Sequence, residues 1–260
     1  MEKRVSLGII ESYFNKLKIH LDNDVVVAGG GPSGLIAAKI LAEKGYKVAL
    51  FEKKLAPGGG MWGGAMMFNE IIIQRSAIHL LAEIGVSHHN LTDDLCTIDS
   101  VEATSALIYQ AIKAGATLFN CISIEDVILK TDRVHGVVIN WTPVNLQNMH
   151  VDPLMISAKV TLDSTGHPSE VVQHLERKND IKLKTLTGKI LGEHSLDVAE
   201  GESGTVKNSG CVYPGLYVSG MAANNVHGQS RMGPIFGGML LSGCKVAELI
   251  DKELQGRKNV

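Results

Sequence analysis

The run Val25-Val26-Val27-Ala28 leading into Gly29-Gly30-Gly31-Pro32-Ser33-Gly34 constrains this chain more than any other stretch. A short β-branched segment that ends in Gly29-x-Gly31-x-x-Gly34 and passes at once into a helical pattern is a dinucleotide-binding turn. Its glycines let the backbone close on a pyrophosphate at a helix N-terminus. Residues 35–44 predict that helix, stopped by Gly45, and residues 47–52 predict the second strand of a βαβ unit. Glu52 then falls roughly 20 positions after the first glycine, where an acid that bonds a ribose hydroxyl is expected. Glycine turns are common by themselves; strand, turn, helix and acid in this order make the argument.

Ahead of the turn, Ile9, Ile10, Tyr13, Phe14, Leu17 and Ile19 recur at helical spacing, so residues 5–21 predict an amphipathic helix that covers the sheet or another subunit. Beyond it, Pro57-Gly58-Gly59-Gly60-Met61-Trp62-Gly63-Gly64-Ala65 reads as a flexible linker or as backbone wrapped against a ligand. Met61 and Trp62 favour the second, because they need cover. Helical patterns follow at 71–82 and 101–114, and residues 117–119, 122–129, 133–138 and 139–141 predict strands in a hairpin-rich section near 117–160.

Asp152 precedes and His167 follows a predicted strand at 158–163, which places two metal-ligand types at its ends. Each also has a plainer reading, Asp152 as a turn residue before Pro153 and His167 as a loop histidine. Residues 180–210 are polar and give little beyond a strand-like piece at 189–192. Residues 215–220 predict a short buried strand, and Gly233-Pro234-Ile235-Phe236-Gly237-Gly238-Met239 leads into a last helix through Ile250, with a frayed tail from Asp251. Arg231, in a glycine-rich turn, is either a solvated charge or a fork for a carboxylate or phosphate.

A chain of 260 residues, 45% hydrophobic and 20% charged, has room for a substantial core. With Lys+Arg at 25 against Asp+Glu at 27, bulk charge points to neither nucleic acid nor an anionic membrane, and small molecules are the expected partners. Cys96, Cys121, Cys211 and Cys244 lie far apart without a C-x-x-C pair, so reduced, mostly buried thiols are expected. No apolar run reaches the ~20 residues that span a bilayer, and a cytoplasmic location is the expectation.

The glycine turn, the middle strand ending in Ser164-Thr165-Gly166 and the late Gly215-Leu216-Tyr217-Val218-Ser219-Gly220 together resemble the glutathione-reductase type of dinucleotide-binding flavoprotein. The implied fold is α/β: one Rossmann-like βαβ dinucleotide-binding domain over 1–260 with an inserted, strand-rich region. A narrower resemblance rests on Gly58-Gly59-Gly60-Met61-Trp62-Gly63-Gly64, Asp152-Pro153, Thr165-Gly166-His167, Tyr213-Pro214-Gly215-Leu216-Tyr217-Val218 and Arg231-Met232-Gly233-Pro234-Ile235-Phe236-Gly237-Gly238-Met239. These blocks look like the Thi4-type thiazole synthases of thiamine biosynthesis, over nearly the whole chain.

That resemblance implies NAD as a substrate: nicotinamide is lost, and the ADP-ribose part joins glycine and sulfur in an adenylated thiazole carboxylate. In one branch a cysteine two positions before the aspartate gives up its sulfur. Here that position is His150, and none of the four cysteines aligns with it, so the chain resembles the archaeal branch that uses sulfide with Fe(II). By the same resemblance, Asp152 and His167 are iron ligands supplied by two neighbouring subunits of a homo-octamer. Gly29, Gly31, Ser33, Gly34, Glu52, Lys53 and Gly60 hold the nucleotide, Val127 meets adenine through its backbone, His150 and Met221 line the pocket near the reacting sugar, and Arg231 holds the glycine carboxylate. His150 is either a proton carrier or a space-filler. Ala65 and Asn224-Asn225-Val226-His227-Gly228 depart from the pattern. Competing functions are an FAD-dependent oxidoreductase and a non-catalytic NAD-binding subunit.

Overall fold

The structure is a computed structural model that describes residues 1–258. In chain order its elements are α1 (Glu2–Ile19), β1 (Asp22–Ala28), α2 (Pro32–Glu43), β2 (Val48–Glu52), β3 (Glu70–Gln74), α3 (Arg75–Ala82), β4 (His89–Asn90), β5 (Leu95–Asp99), α4 (Ser100–Lys113) and β6 (Thr117–Asn120). There follow β7 (Ile122–Lys130), β8 (Arg133–Trp141), α5 (Thr142–Leu146), β9 (Leu154–Asp163), α6 (Glu170–Lys178), α7 (Val198–Asn208), β10 (Gly210–Tyr213), β11 (Leu216–Val218), α8 (Met221–His227) and α9 (Gly237–Lys258).

The main sheet runs β10-β11-β9-β1-β2-β6, parallel except for the edge strand β10. Strand β9 is long enough to serve two neighbours on one side. Its first half pairs antiparallel with β8 of the β7–β8 hairpin, and its second half pairs parallel with β11. This is the strand-rich insertion expected in the α/β fold. A separate antiparallel sheet, β3-β5-β4, carries the chain between β2 and α4.

The central strands are buried on both faces, as alternation of two apolar sets requires. Val25, Val27, Leu50, Val160 and Leu162 pack under α2, α3, α4 and α9. Val26, Ala28, Ala49, Phe51 and Ala158 face the β7–β8 hairpin and α6, where Phe51 stacks on Phe119 at 5.3 Å. Helix α1 touches this second layer through Leu17 and Tyr13, while Ile9, Ile10 and Phe14 are exposed. No helix among the described residues is long and apolar enough to cross a membrane. The four cysteines are free thiols, of which only Cys96 is fully buried.

Several boundaries differ from the sequence reading. The helical pattern over 71–82 divides into strand β3 and helix α3, because Ile71 and Ile73 alternate inward and the backbone pairs with β5. Residues 133–141 form one strand. Residues 189–192 form no strand; the Leu191 and Gly192 N–H groups donate instead to the carbonyls of Val226 and Asn225. From Asp251 to Lys258 the expected tail is instead the last part of α9, held by hydrogen bonds from Lys44, Tyr46 and Gln255 to Asp251, and its last two residues lie outside the described residues.

Candidate active site

Parallel pairing aligns the carboxyl ends of four strands: Ala28 lies beside Phe51 and Asp163, and Asp163 lies beside Val218. The loops that follow open a cleft of about 800 Å³ at this edge, where ligands of open α/β sheets bind. Segment 231–239 closes the far wall. It is anchored to β3, since Ile72 N–H donates to Pro234 O and Phe236 N–H to Ile72 O.

The glycine turn divides its labour as the motif requires. Gly29 has φ +94°, and a Cβ there would stand 2.5 Å from Ser164 O. Gly34 lets α2 press on the turn, because a Cβ would overlap Gly29 O. Gly31 meets no such obstacle and lines the cleft. It is the N-cap of α2, with Pro32 in the first turn, so the helix presents unsatisfied N–H groups and the positive end of its dipole to the cavity. Ser33 stands beside them in a chain of hydroxyls, bonded to Ser219, which bonds Ser164.

Glu52, buried at the end of β2, accepts the Gly30 N–H on Oε2 and the Lys54 N–H on Oε1, both at 2.8 Å. Lys53 pairs with Glu170 at the cleft wall. Gly60 and Met221 complete this half of the lining, Met221 from the first position of α8.

The loop after β9 is organised by a residue that the sequence did not single out. Asp163 is fully buried and accepts the N–H and hydroxyl of Thr165 and the N–H of Val172. Burial pushes its pKa up, and those three bonds oppose the rise. Thr165 Oγ1 in turn accepts the Glu170 N–H, so residues 164–170 are tied into one turn that sets His167 on the cleft wall. His167 Nδ1 lies 2.8 Å from both Oε atoms of Glu193, while Nε2 has no hydrogen-bond partner among the described residues. The Arg231 guanidinium, also on the wall, likewise makes no bond or ion pair with a described residue.

The cleft therefore gathers Gly29, Gly31, Ser33, Glu52, Lys53, Gly60, His167, Met221 and Arg231. It does not gather Asp152, His150 or Val127, nor Gly34, which packs against Gly29 O instead of lining the cleft. Asp152 lines a separate cavity of about 90 Å³ with Tyr13, Phe119 and Trp141, and its carboxylate has no hydrogen-bond partner among the described residues. His150 lies exposed in the same stretch. Val127 sits in β7 beyond Ile124, the strand's farthest residue on the cleft wall. No three His, Cys, Asp or Glu side chains of one chain converge as a metal site among the described residues. Besides Asp163, sequence reasoning passed over Glu193, in the stretch between 180 and 210 where no pattern was visible. For Asp163 the signal was the acid closing the strand before Ser164-Thr165-Gly166; for Glu193 there was none.

The Thi4 family profile matches residues 6–236. The chain belongs to the Thi4 family. A thiamine thiazole synthase of Solidesulfovibrio magneticus is 51% identical over 98% of both chains, and one of Methanothermobacter thermautotrophicus is 47% identical over 97% of this chain and 98% of its own. The crystal structure of Thermovibrio ammonificans THI4 superimposes with a TM-score of 0.96 at 52% identity, covering 98% of this chain and 99% of that one. Membership of the Thi4 family agrees with the resemblance read from the glycine loop, the Asp-Pro pair and the Arg231 block.

Proposed function

We propose that this chain is a thiamine thiazole synthase, a cytoplasmic enzyme of one domain over 1–260 that makes an adenylated thiazole carboxylate from NAD, glycine and sulfide with Fe(II) and releases nicotinamide. The observation that carries the reading is a cleft lined together by a helix N-terminus, a buried carboxylate, an imidazole and a guanidinium that has no partner among the described residues. The names borne by relatives at about half identity and near-complete coverage support it.

Each group has work suited to its chemistry. The first turn of α2, with Gly31 and Ser33, takes the pyrophosphate. Glu52 spends one lone pair per oxygen on backbone N–H groups and keeps others for ribose hydroxyls. Lys53 and Gly60 flank the adenosine; an adenine contact through the Val127 backbone would require the base to reach along β7 past Ile124, beyond the cleft lining. Met221 offers an apolar surface near the reacting sugar, and the Arg231 fork holds the glycine carboxylate. These positions serve loss of nicotinamide, opening of the ribose to a ketone, condensation with glycine to an imine, sulfide addition and dehydrative ring closure.

The residues also fit iron. Among the described residues His167 Nε2 and the Asp152 carboxylate have no partner, a donor set suited to Fe(II) with coordination positions left open. When bound, the ion supplies Lewis acidity and a site for sulfide. Asp152 serves the cleft of a neighbouring subunit in a homo-octamer, with His150 beside it as proton carrier or space-filler. Exposed Leu146, Met149, Val151, Leu154 and Met155 around Asp152, together with the bare face of α1, support burial of this region against another copy.

The test is anaerobic incubation with NAD, glycine, sulfide and Fe(II), followed by mass spectrometry for the adenylated thiazole. Absence of product overturns the proposal. Intact bound NAD would then mean a binding subunit, and a flavin absorbance band in the purified protein would mean an oxidoreductase.

A further inference from the structure

We propose that Glu193 is the positioning residue of His167: it fixes the Nδ1–H tautomer and so presents Nε2 as the free acceptor on the cleft wall. The inference rests on the reading of His167 as an iron ligand and goes beyond it, to the group that makes this imidazole a competent one.

His167 Nδ1 stands 2.8 Å from Oε1 and from Oε2 of Glu193. A carboxylate is acceptor-only, so a neutral ring facing it must carry its proton on Nδ1. The other nitrogen then bears the lone pair, and it has no hydrogen-bond partner among the described residues. Without Glu193, the half-exposed ring would be free to rotate and to exchange tautomers. Glu193 itself is largely sheltered, with a side-chain exposure of 17% against 48% for His167.

The backbone around Glu193 is fixed independently of the histidine. Leu191 N–H donates to Val226 O, Gly192 N–H to Asn225 O and His194 N–H to Gln229 O. Arg231 N–H donates back to His194 O, and Asp197 N–H to Arg231 O. One seam therefore carries the carboxylate that orients His167 and holds the backbone of Arg231. A change at Glu193 should leave that seam intact, because all five bonds are between main-chain atoms. Partners of this kind to metal-bound histidines set ring orientation and ligand basicity, and their loss weakens metal affinity ~10–100-fold.

Glu193→Ala and Glu193→Gln separate orientation from mere structure. In the metal-free protein, at a pH where imidazole is neutral, solid-state 15N spectra of histidine-labelled samples report the tautomer, with the His167 signals assigned by their absence in His167→Ala. Wild type and Glu193→Gln, whose amide oxygen still accepts from Nδ1–H, are expected in the Nδ1–H form, and Glu193→Ala in the mixture that water allows. Anaerobic Fe(II) titration is expected to show a ~10–100-fold weaker Kd for Glu193→Ala and a much smaller change for Glu193→Gln. An unchanged tautomer in Glu193→Ala, or equal loss of affinity in both variants, overturns the proposal. If His167→Ala binds Fe(II) as wild type does, the iron reading fails instead, and the 15N spectra still decide whether Glu193 sets the ring.

Discussion

Glu52 Oε2 accepts the N–H of Gly30, the middle residue of the glycine turn, at 2.8 Å, and its Oε1 accepts the N–H of Lys54 at the same distance. The acid expected to bind ribose is thus also the clamp that holds the turn against the end of β2. Glu52→Gln keeps the shape but puts an amide NH2 where one of two N–H donors needs an acceptor. A hydrogen bond to a charged group is worth about 1.5–3 kcal/mol, so a loss of NAD affinity of about tenfold or more is expected by calorimetry. Thermal stability should fall with it, which separates a clamp from a surface ligand whose removal would leave the fold untouched.

Two glycines three positions apart should respond to alanine in opposite ways. Gly31 has φ −76°, a Cβ there meets nothing within 4 Å, and the residue faces the cleft. Gly31→Ala is expected to fold with wild-type stability and to lose NAD binding, since the added methyl occupies the space of the pyrophosphate. Gly34→Ala places its Cβ on Gly29 O and 3.1 Å from Ser164 Cβ. Backbone cannot yield as a side-chain tip can, so destabilisation above about 3 kcal/mol is expected. Urea denaturation beside NAD titration checks both, and the idea fails if Gly34→Ala is stable or Gly31→Ala binds normally.

What could be read in advance follows the range of the interactions involved. The turn at Gly29 and the acid at Glu52 are local signals, because a βαβ unit is specified within about 30 residues. Strand β3 was hidden because its short run Ile71-Ile72-Ile73 passes without a break into the amphipathic pattern of α3, and only pairing with β5 separates the two. Helix α7 was hidden because Gly201 and Gly204 lower its propensity, and packing on α8 and α9 holds it instead. Glu193 is polar, sits outside regular structure and acquires meaning only when the fold brings it to His167, 26 positions earlier. No periodicity can record such a contact.

Asp251 ties α9 to the end of α2 by accepting from Lys44 Nζ at 2.8 Å and Tyr46 OH at 2.6 Å, with Gln255 Nε2 at 2.9 Å. The Lys44 bond first, and the Tyr46 bond after it, hold its carboxyl below the ordinary range. Burial and the same carboxylate push the Tyr46 hydroxyl up to about 12. A depressed carboxylate pKa means that the unfolded chain takes up the proton first as pH falls. The contribution is therefore complete above the unfolded value of about 3.9 and is lost as pH drops toward the folded one. Asp251→Asn should cost about 1–3 kcal/mol at pH 7 and should flatten the stability loss below pH 4 in urea melts. An unchanged acid slope would show that Asp251 is not the group that titrates.

His167 lines the cleft of its own chain and Asp152 does not, although both are proposed to hold the same ion. If each site draws its carboxylate from one subunit and its imidazole from the next, the two ligands can be inactivated on different chains. Asp152→Ala and His167→Ala should each abolish iron-dependent thiazole formation while leaving NAD binding nearly unchanged, because neither side chain belongs to the turn, the α2 N-terminus or Glu52. Co-expressed with different tags and purified as mixed oligomers, the two variants should regain activity. A mixed pair supplies a native Asp152 from one chain and a native His167 from the other, and random assortment makes about a quarter of the sites complete. Ligands drawn from within one chain would give no recovery in any mixture, because every chain would then lack one of the two. Mixing after purification should restore activity only as subunits exchange, so the rate of recovery would report how firmly the exposed apolar surface around Leu154 and Met155 is buried between copies.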